Sequence, residues 1–306
     1  MQVGIGELAA LTGALLWAIA SVVYGRMVGQ RLPALLLNLL KGAIAIVLLL
    51  LTLLSQRATF PAVAGAAVGG LWLSGVVGIG LGDTAYLMAL SQLGVRRALL
   101  LETLAPPITA LLAWLVLGEQ LSGAAIAGIG ITMVGVGWVI VERNSAQPMK
   151  AIVPPLNWRG LSWGLLAELA QGSGAVLSRQ ALADTAMTPL WSSLIRLVGG
   201  EMILVVLLAV YQWRGQTLGS SCWRGGKMSE RGCLAIALAA FGGTYLGIWC
   251  QQTALKHAPT GIAQTLLATS PLFVLPIVAL LGETLTLRSL LGVVIALVGI
   301  ALLFNG

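Results

Sequence analysis

The chain alternates long apolar runs with short polar breaks. Reading the runs against the breaks predicts ten helical spans, numbered 1 to 10, near residues 7–28, 33–54, 66–91, 98–117, 122–141, 160–181, 189–211, 233–255, 261–281 and 287–304. Most runs hold about 20 residues, the length that a helix needs to cross the hydrocarbon core of a bilayer. Most breaks are too short to hold a folded loop. The pattern therefore predicts a chain that crosses a membrane ten times.

Composition supports this prediction and excludes several classes of function. Of the 306 residues, 58% are hydrophobic and 9% are charged, whereas a soluble domain carries roughly 25% charged residues. We therefore expect an all-α integral membrane protein whose first partner is the lipid bilayer. Three cysteines without a pairing pattern and a single histidine, His257, cannot build a metal site, so no metal and no cofactor are expected.

The net charge of +7 comes mainly from basic residues in short loops, where such residues set topology rather than bind nucleic acid. The start of the chain has no charged region and no cleavage site of the kind that marks a removable signal. The sequence thus predicts a multi-pass protein of the plasma membrane (a bacterial inner membrane), with no nucleic-acid partner. It does not distinguish a monomer from a homodimer.

A polar, proline-rich stretch near the middle of the chain separates five spans from five. We predict a first five-helix repeat over 1–142, a linker over 143–159 and a second five-helix repeat over 160–306. An odd number of spans in each repeat requires the second copy to lie upside down in the membrane relative to the first. Inverted repeats are typical of carriers that work by alternating access, with the substrate site at the interface between the repeats.

Matching residues in the two halves support the repeat. The first half carries Ala89-Leu90, Pro106, Gly118-Glu119, Gly128 and Gly135, and the second half carries Ala254-Leu255, Pro271, Gly282-Glu283, Gly292 and Gly299. Lys41 in span 2 roughly matches Arg196 in span 7. Each Gly-Glu pair lies at a corner between two spans, where glycine can end a helix in a left-handed cap and the helix dipole favours a glutamate near the start of the next helix. We therefore interpret these pairs as structural rather than as a site.

These repeated motifs resemble those of the drug/metabolite transporter superfamily, and the ten-helix EamA-like carriers in particular. The resemblance covers nearly the whole chain. It implies a ten-helix inverted-repeat fold, a central cavity and transport of small metabolites, often export of amino acids. It also implies cytoplasmic termini. The second copy departs from the first by one residue between Pro271 and Glu283, which affects the register of spans 4 and 9.

Loop charges predict the opposite orientation. Loops after odd-numbered spans hold twelve basic residues and loops after even-numbered spans hold three. By the positive-inside rule the odd loops would be cytoplasmic and both termini would lie outside. The orientation of the chain stays open between these two expectations.

Ionisable residues inside spans are costly and are therefore candidates for function. Six such residues are predicted: Lys41, Asp83, Glu102, Glu168, Arg196 and Glu201. Lys41 and Arg196 lie at similar depths in matching helices, so the two cations could bracket an anionic or zwitterionic substrate. The alternative is that each side chain reaches a membrane interface or pairs with a nearby carboxylate.

Glu168 is the candidate for coupling to protons. It lies near the middle of span 6, where desolvation would let a carboxyl group load and release a proton. Its approximate counterpart in span 1 is Trp17. The alternative is a packing carboxylate that pairs with Arg179 or Arg196.

Aromatic and amide side chains deep in the spans are candidates for a pocket wall. The candidates are Trp17, Tyr86, Gln171, Tyr245, Trp249 and Gln252. The alternative for each of them is core packing.

The function that best fits these patterns is secondary active transport. The substrate would be a small metabolite, an amino acid or a related compound, with export as the expected direction and a proton or an exchanged solute as the coupling partner. A lipid-handling flippase subunit is the alternative. An integral-membrane enzyme fits less well, because one histidine and two aspartates offer few catalytic groups.

Overall fold

The structure is a computed structural model that describes residues 4–27, 34–93, 101–146, 158–213, 230–273, 276 and 287–303. These residues form helices joined by short turns, and no strand occurs among them. The all-helical architecture predicted from the apolar runs is therefore confirmed for the described part of the chain.

A helix lies at each predicted span. The helices are Ile5–Met27 (span 1), Ala34–Ser55 (span 2), Ala105–Leu117 (span 4), Gly123–Ala146 (span 5), Trp158–Leu182 (span 6), Pro189–Trp213 (span 7), Thr260–Leu267 (the start of span 9) and Leu287–Leu303 (span 10). Spans 3 and 8 are each built of three consecutive segments. Span 3 consists of Gly65–Ser74, Gly75–Gly82 and Asp83–Leu93, and span 8 consists of Glu230–Ala239, Ala240–Leu246 and Gly247–His257.

Four of these helices are long and apolar enough to cross a membrane. They cover Leu35–Ser55, Gly65–Ala89, Pro189–Val210 and Gly232–His257. Four shorter apolar helices cover Ile5–Ser21, Ala105–Leu117, Gly123–Val139 and Leu290–Leu303.

The middle segments of spans 3 and 8 are π-helical. Gly75 and Ala240 begin these segments and lie 165 residues apart, which is also the spacing between the repeat partners Ala89 and Ala254. The two halves of the chain thus carry the same helical irregularity at the same place. Such π segments occur frequently at functional sites in other proteins. The apolar runs of the sequence do not predict them.

Spans 5 and 10 pack along their glycines. A methyl group added at Gly128 would lie 2.8 Å from the Gly299 carbonyl oxygen, and one added at Gly135 would lie 2.7 Å from that of Gly292. Because the earlier glycine of one helix faces the later glycine of the other, the two helices run antiparallel. Gly128 matches Gly292 in the repeat, and Gly135 matches Gly299, so the contact has the self-complementary form that a two-fold axis produces.

The other contacts between the halves follow the same relation. Span 1 packs against span 8 and span 6 packs against span 3, while span 4 contacts span 6 and span 9 contacts span 1. Spans 2 and 7 contact each other, as do spans 4 and 9. Much of the core therefore lies between the halves rather than within either one.

The glycine contact gives a first prediction. Gly135→Leu places a side chain against the Gly292 carbonyl and the Ala296 backbone, so we expect a loss of about 1–3 kcal/mol in stability from overpacking. Gly137→Leu is the matched control, because an added methyl there has no atom within 4 Å. Thermal unfolding of the detergent-solubilised protein measures both variants. Equal melting temperatures for the two variants would show that the contact does not form.

Candidate functional site

The corner after span 4 holds a cluster that ties the two halves together. Gly118 ends the helix with a left-handed φ of 68°, as the sequence predicts for a glycine cap. Glu119, which follows this cap, bonds to a helix other than the next one along the chain. Its carboxylate instead accepts hydrogen bonds from the backbone nitrogen of Thr260 at 2.8 Å and from its hydroxyl at 3.1 Å. It therefore caps the first helix of span 9, in the other half of the chain.

Arg179 completes this cluster. Its Nε lies 2.9 Å from Glu119, and its Nη1 donates to the carbonyl oxygens of Leu255 at 2.8 Å and Lys256 at 2.7 Å. One arginine thus satisfies the last carbonyls of span 8 while it holds the glutamate that caps span 9. Gly282 and Glu283, the matching pair in the second half, lie outside the described residues.

Lys41 and Asp83 form an ion pair between spans 2 and 3. Lys41 Nζ lies 2.9 Å from Asp83 Oδ2, and Gln171 of span 6 donates to Asp83 Oδ1 at 2.9 Å. Asp83 begins the helix that follows the π segment of span 3. Three of the candidate residues predicted from the sequence therefore meet here. The pairing favours the alternative interpretation of Lys41, in which a carboxylate of the chain neutralises the amine.

Two further groups surround Lys41. Its Nζ lies 5.9 Å from the centroid of the Tyr24 ring, and the Tyr24 hydroxyl lies 3.2 Å from the Thr244 hydroxyl in the π segment of span 8. The next residue along span 2 is Gly42. Because glycine has no side chain, the Glu201 carboxylate of span 7 can occupy the space beside it. Glu201 Oε1 is buried and has no hydrogen-bond partner among the described residues.

Glu102 and Glu168 form a second group of carboxyl groups, beside Tyr86 of span 3. The Tyr86 hydroxyl interacts with the Glu102 carboxyl group, and the Glu102 and Glu168 carboxyl groups are close enough to interact with each other. Glu168 is buried, with 2% of its surface exposed. Arg179 and Arg196, the partners considered for Glu168 in the sequence analysis, bond to other groups in the described structure.

Arg196 lies where span 7 packs against spans 3 and 8. Its Nη1 donates to Gln251 Oε1 at 3.1 Å. Its Nη2 lies next to Gly78 in the π segment of span 3, where an added methyl group would be 3.2 Å away. One turn earlier on span 7, Ser192 donates to Gln252 Oε1 at 2.7 Å. Arg196 and Gln252 are both buried.

The aromatic candidates line the same interface. Trp17 Nε1 donates to the Gly243 carbonyl in the π segment of span 8 at 2.8 Å. Tyr245 is buried, its hydroxyl lies 2.7 Å from the Thr52 hydroxyl, and its ring lies 6.1 Å from that of Trp249. These contacts place Trp17 between spans 1 and 8 and Tyr245 between spans 2 and 8, with Trp249 beside Tyr245.

Packing pairs Trp17 with a different residue from the one expected. Trp17 packs on Gly247 and Gln171 packs on Gly82, and these glycines lie at the repeat spacing of 165 residues. Gln171 is therefore the spatial counterpart of Trp17, in place of Glu168. The sequence alignment of spans 1 and 6 was off by three residues because those spans share no clear motif.

One family model matches the chain twice, once in each half, and this double match decides the family relationship. The model of the EamA-like transporter family matches residues 4–141 and again 158–305. The chain belongs to the EamA-like transporter family. It is a multi-pass membrane transporter of small molecules, and members of this family are transporters rather than enzymes.

Comparison with known structures shows the fold that the transporter shares. A solved chain titled only "Crystal structure of protein" matches it with a TM-score of 0.76 and 15% sequence identity, over 97% of this chain and 95% of that one. At this identity the likeness concerns the fold alone. A search of curated proteins finds no match to the transporter.

Several residues of the transporter's polar interface escaped the sequence analysis. Ser192, Thr52 and Thr244 all contact candidate side chains. Ser192 could have been found, because it lies four residues before Arg196 and so shares its helix face. Thr52 gave no such signal, since a threonine inside a helix commonly bonds back to its own turn, as Thr52 does to Leu48 at 2.8 Å.

The Lys41–Asp83 pair gives a second prediction. Lys41→Met leaves Asp83 without its cation in a largely buried place, and we expect a loss of up to about 3 kcal/mol in stability. The double variant Lys41→Met/Asp83→Asn removes both charges and should recover part of that loss.

Thermal unfolding of the purified transporter measures the single and double variants, with Arg57→Met in the exposed turn after span 2 as the control. A double variant less stable than Lys41→Met alone would contradict the pairing.

Proposed function

We propose that the transporter is a secondary active carrier that moves small metabolites by alternating access between two inverted five-helix repeats. The observation that carries this proposal is the antiparallel contact of the equivalent spans 5 and 10. Because Gly128 faces Gly299 and Gly135 faces Gly292, the contact has the form expected of two inverted copies. Inverted copies can exchange conformations, so that each half takes up the shape of the other and the site opens to the other side.

The interface between the repeats is the proposed place of the substrate. Gln171 of the second repeat bonds to Asp83 of the first, and Arg196 of span 7 packs on Gly75 and Gly78 of span 3. Gln252 lies beside Arg196 on the neighbouring span 8, where it bonds to Ser192 of span 7. Family membership supports amino acids or related compounds as substrates and export as the direction. The plasma membrane is the proposed location, and the functional unit is a monomer or a homodimer.

Glu168 is the proposed coupling residue. It is buried in span 6, and its neighbour is another carboxyl group, Glu102. Two neighbouring carboxyl groups in a site of low dielectric constant cannot both stay ionised at small cost, so one of them is expected to bind a proton. Transport coupled to proton movement would use the loading and release of that proton.

Reconstitution tests the carrier proposal. Liposomes that contain the purified transporter are supplied with labelled amino acids, sugars, organic phosphates and a fluorescent phospholipid, each with and without an imposed pH gradient. We expect movement of an amino acid or a related solute that the gradient accelerates. Movement of the phospholipid alone would support a flippase, and no movement of any solute would contradict a carrier.

Substitution of Glu168 gives a third prediction. Glu168→Gln keeps the shape of the side chain and removes its ability to exchange a proton, so uptake driven by a pH gradient should fall at least about tenfold while solute exchange continues. Glu230→Gln, at the exposed start of span 8, is the matched control and should behave like the wild type. An unchanged pH dependence in Glu168→Gln would exclude the coupling role.

A further inference from the structure

The contact between spans 7 and 8 contains two buried N–H donors that have no acceptor within the part of the chain that the structure describes. Arg196 Nε and Gln252 Nε2 have no hydrogen-bond partner among the described residues. Arg196 is 1% exposed and Gln252 is 0% exposed. A buried donor that is left unsatisfied costs free energy, and a charged one costs more. Two such donors at one contact indicate that an acceptor is missing.

The neighbouring bonds leave both donors free. The Ser192 hydroxyl occupies the oxygen of the Gln252 amide, so the amide nitrogen is the end that lacks a partner. In the same way Arg196 bonds through Nη1 to Gln251 and leaves Nε unused. Ser192 and Arg196 lie one turn apart on span 7, and Gln251 and Gln252 are consecutive on span 8. The two free donors therefore belong to side chains that bond across the same contact between spans 7 and 8.

The charge of Arg196 is also unbalanced. Of the carboxylates in the described residues, Asp83 interacts with Arg196 over a distance, but Lys41 and Gln171 already occupy its two oxygens. No described carboxylate lies within ion-pair distance of Arg196. A buried cation in a membrane protein is expected to have a counter-charge. The missing acceptor should therefore carry one negative charge.

We propose that this contact binds the carboxylate of the transported solute, with Arg196 Nε and Gln252 Nε2 as donors. This inference rests on the proposed carrier function and names the chemical class of its substrate. A carboxylate has a single charge and two acceptor oxygens, which matches one guanidinium and one amide N–H. A phosphate dianion would leave a second negative charge uncompensated, because Lys41 is neutralised by Asp83. Arg196 therefore has a different role from Lys41, its counterpart in the repeat.

The test uses matched ligands that differ only in the carboxylate. Thermal stabilisation of the purified transporter is measured with a panel of L-amino acids, with the corresponding amino-acid amides and with inorganic phosphate. We expect at least one amino acid to stabilise the protein and its amide to bind at least about tenfold more weakly, which is the loss expected for a bond to a charged group. Phosphate should have no effect.

Variants then assign the contact. Arg196→Lys keeps the charge but lacks the Nε donor, and Gln252→Leu keeps the arginine, so each should weaken binding of the amino acid by about tenfold or more. Gln264→Leu, at another buried glutamine in span 9, is the matched control and should bind like the wild type. Because two different substitutions are used, the test survives if one variant fails to fold.

Three results would overturn the inference: equal binding of acid and amide, unchanged binding in both variants, or stabilisation by no member of the panel. Flux in liposomes separates this failure from failure of the carrier proposal. If amides move as fast as acids, the result supports the carrier proposal and contradicts the carboxylate site. If no solute moves at all, the carrier proposal itself falls.

Discussion

Close backbone contact between the two halves is the constraint on which the rest of the structure depends. Gly75 lies against the backbone of Arg196, Gly199 lies against that of Trp72, and Gly174 lies against Gly78. Small residues allow such close contacts. In lipid the hydrophobic effect does not drive helices together, so van der Waals packing at these contacts does. The contacts place span 7 directly on the π segment of span 3. They therefore fix where the charged side chains of these helices can reach.

The two halves of the chain are nearly symmetric in their helix packing, but their polar side chains differ. Lys41 and Arg196 occupy matching helices, yet among the described residues Lys41 pairs with a carboxylate and Arg196 bonds to an amide. The two halves of the fold thus contain two matching positions, and the cations at these positions have different bonding partners. An asymmetric solute needs such a difference, because its two ends must meet different groups. The carboxyl groups of Glu102 and Glu168 add a third kind of environment on the side of span 6.

Much of the fold could be predicted from the sequence because the signals are long and repeated. Apolar runs of about 20 residues mark the spans, and the glycines seven residues apart in spans 5 and 10 mark a packing face. The π segments could not be predicted, since a glycine-rich apolar run looks the same in either helical form. The partner of Glu119 could not be predicted either, because the contact with Thr260 joins residues 141 positions apart in the chain.

The site was predicted in part for the same physical reason. Charged residues inside spans are rare and stand out, so Lys41, Asp83, Glu168 and Arg196 could all be selected. Which charges neutralise each other depends on how helices from the two halves face one another, and the sequence does not contain that information directly. The membership of Gln171 in the Asp83 cluster followed only from the packing of span 6 on span 3.

Solute counterflow is the most direct test of alternating access. Liposomes that contain the transporter are loaded with a high concentration of an unlabelled amino acid from the transported set and diluted into the same amino acid in labelled form. A carrier that exposes one site to each side in turn must accumulate label transiently above its equilibrium level. A channel or a passive pathway would let the label rise to equilibrium without an overshoot, and that result would contradict the proposed mechanism.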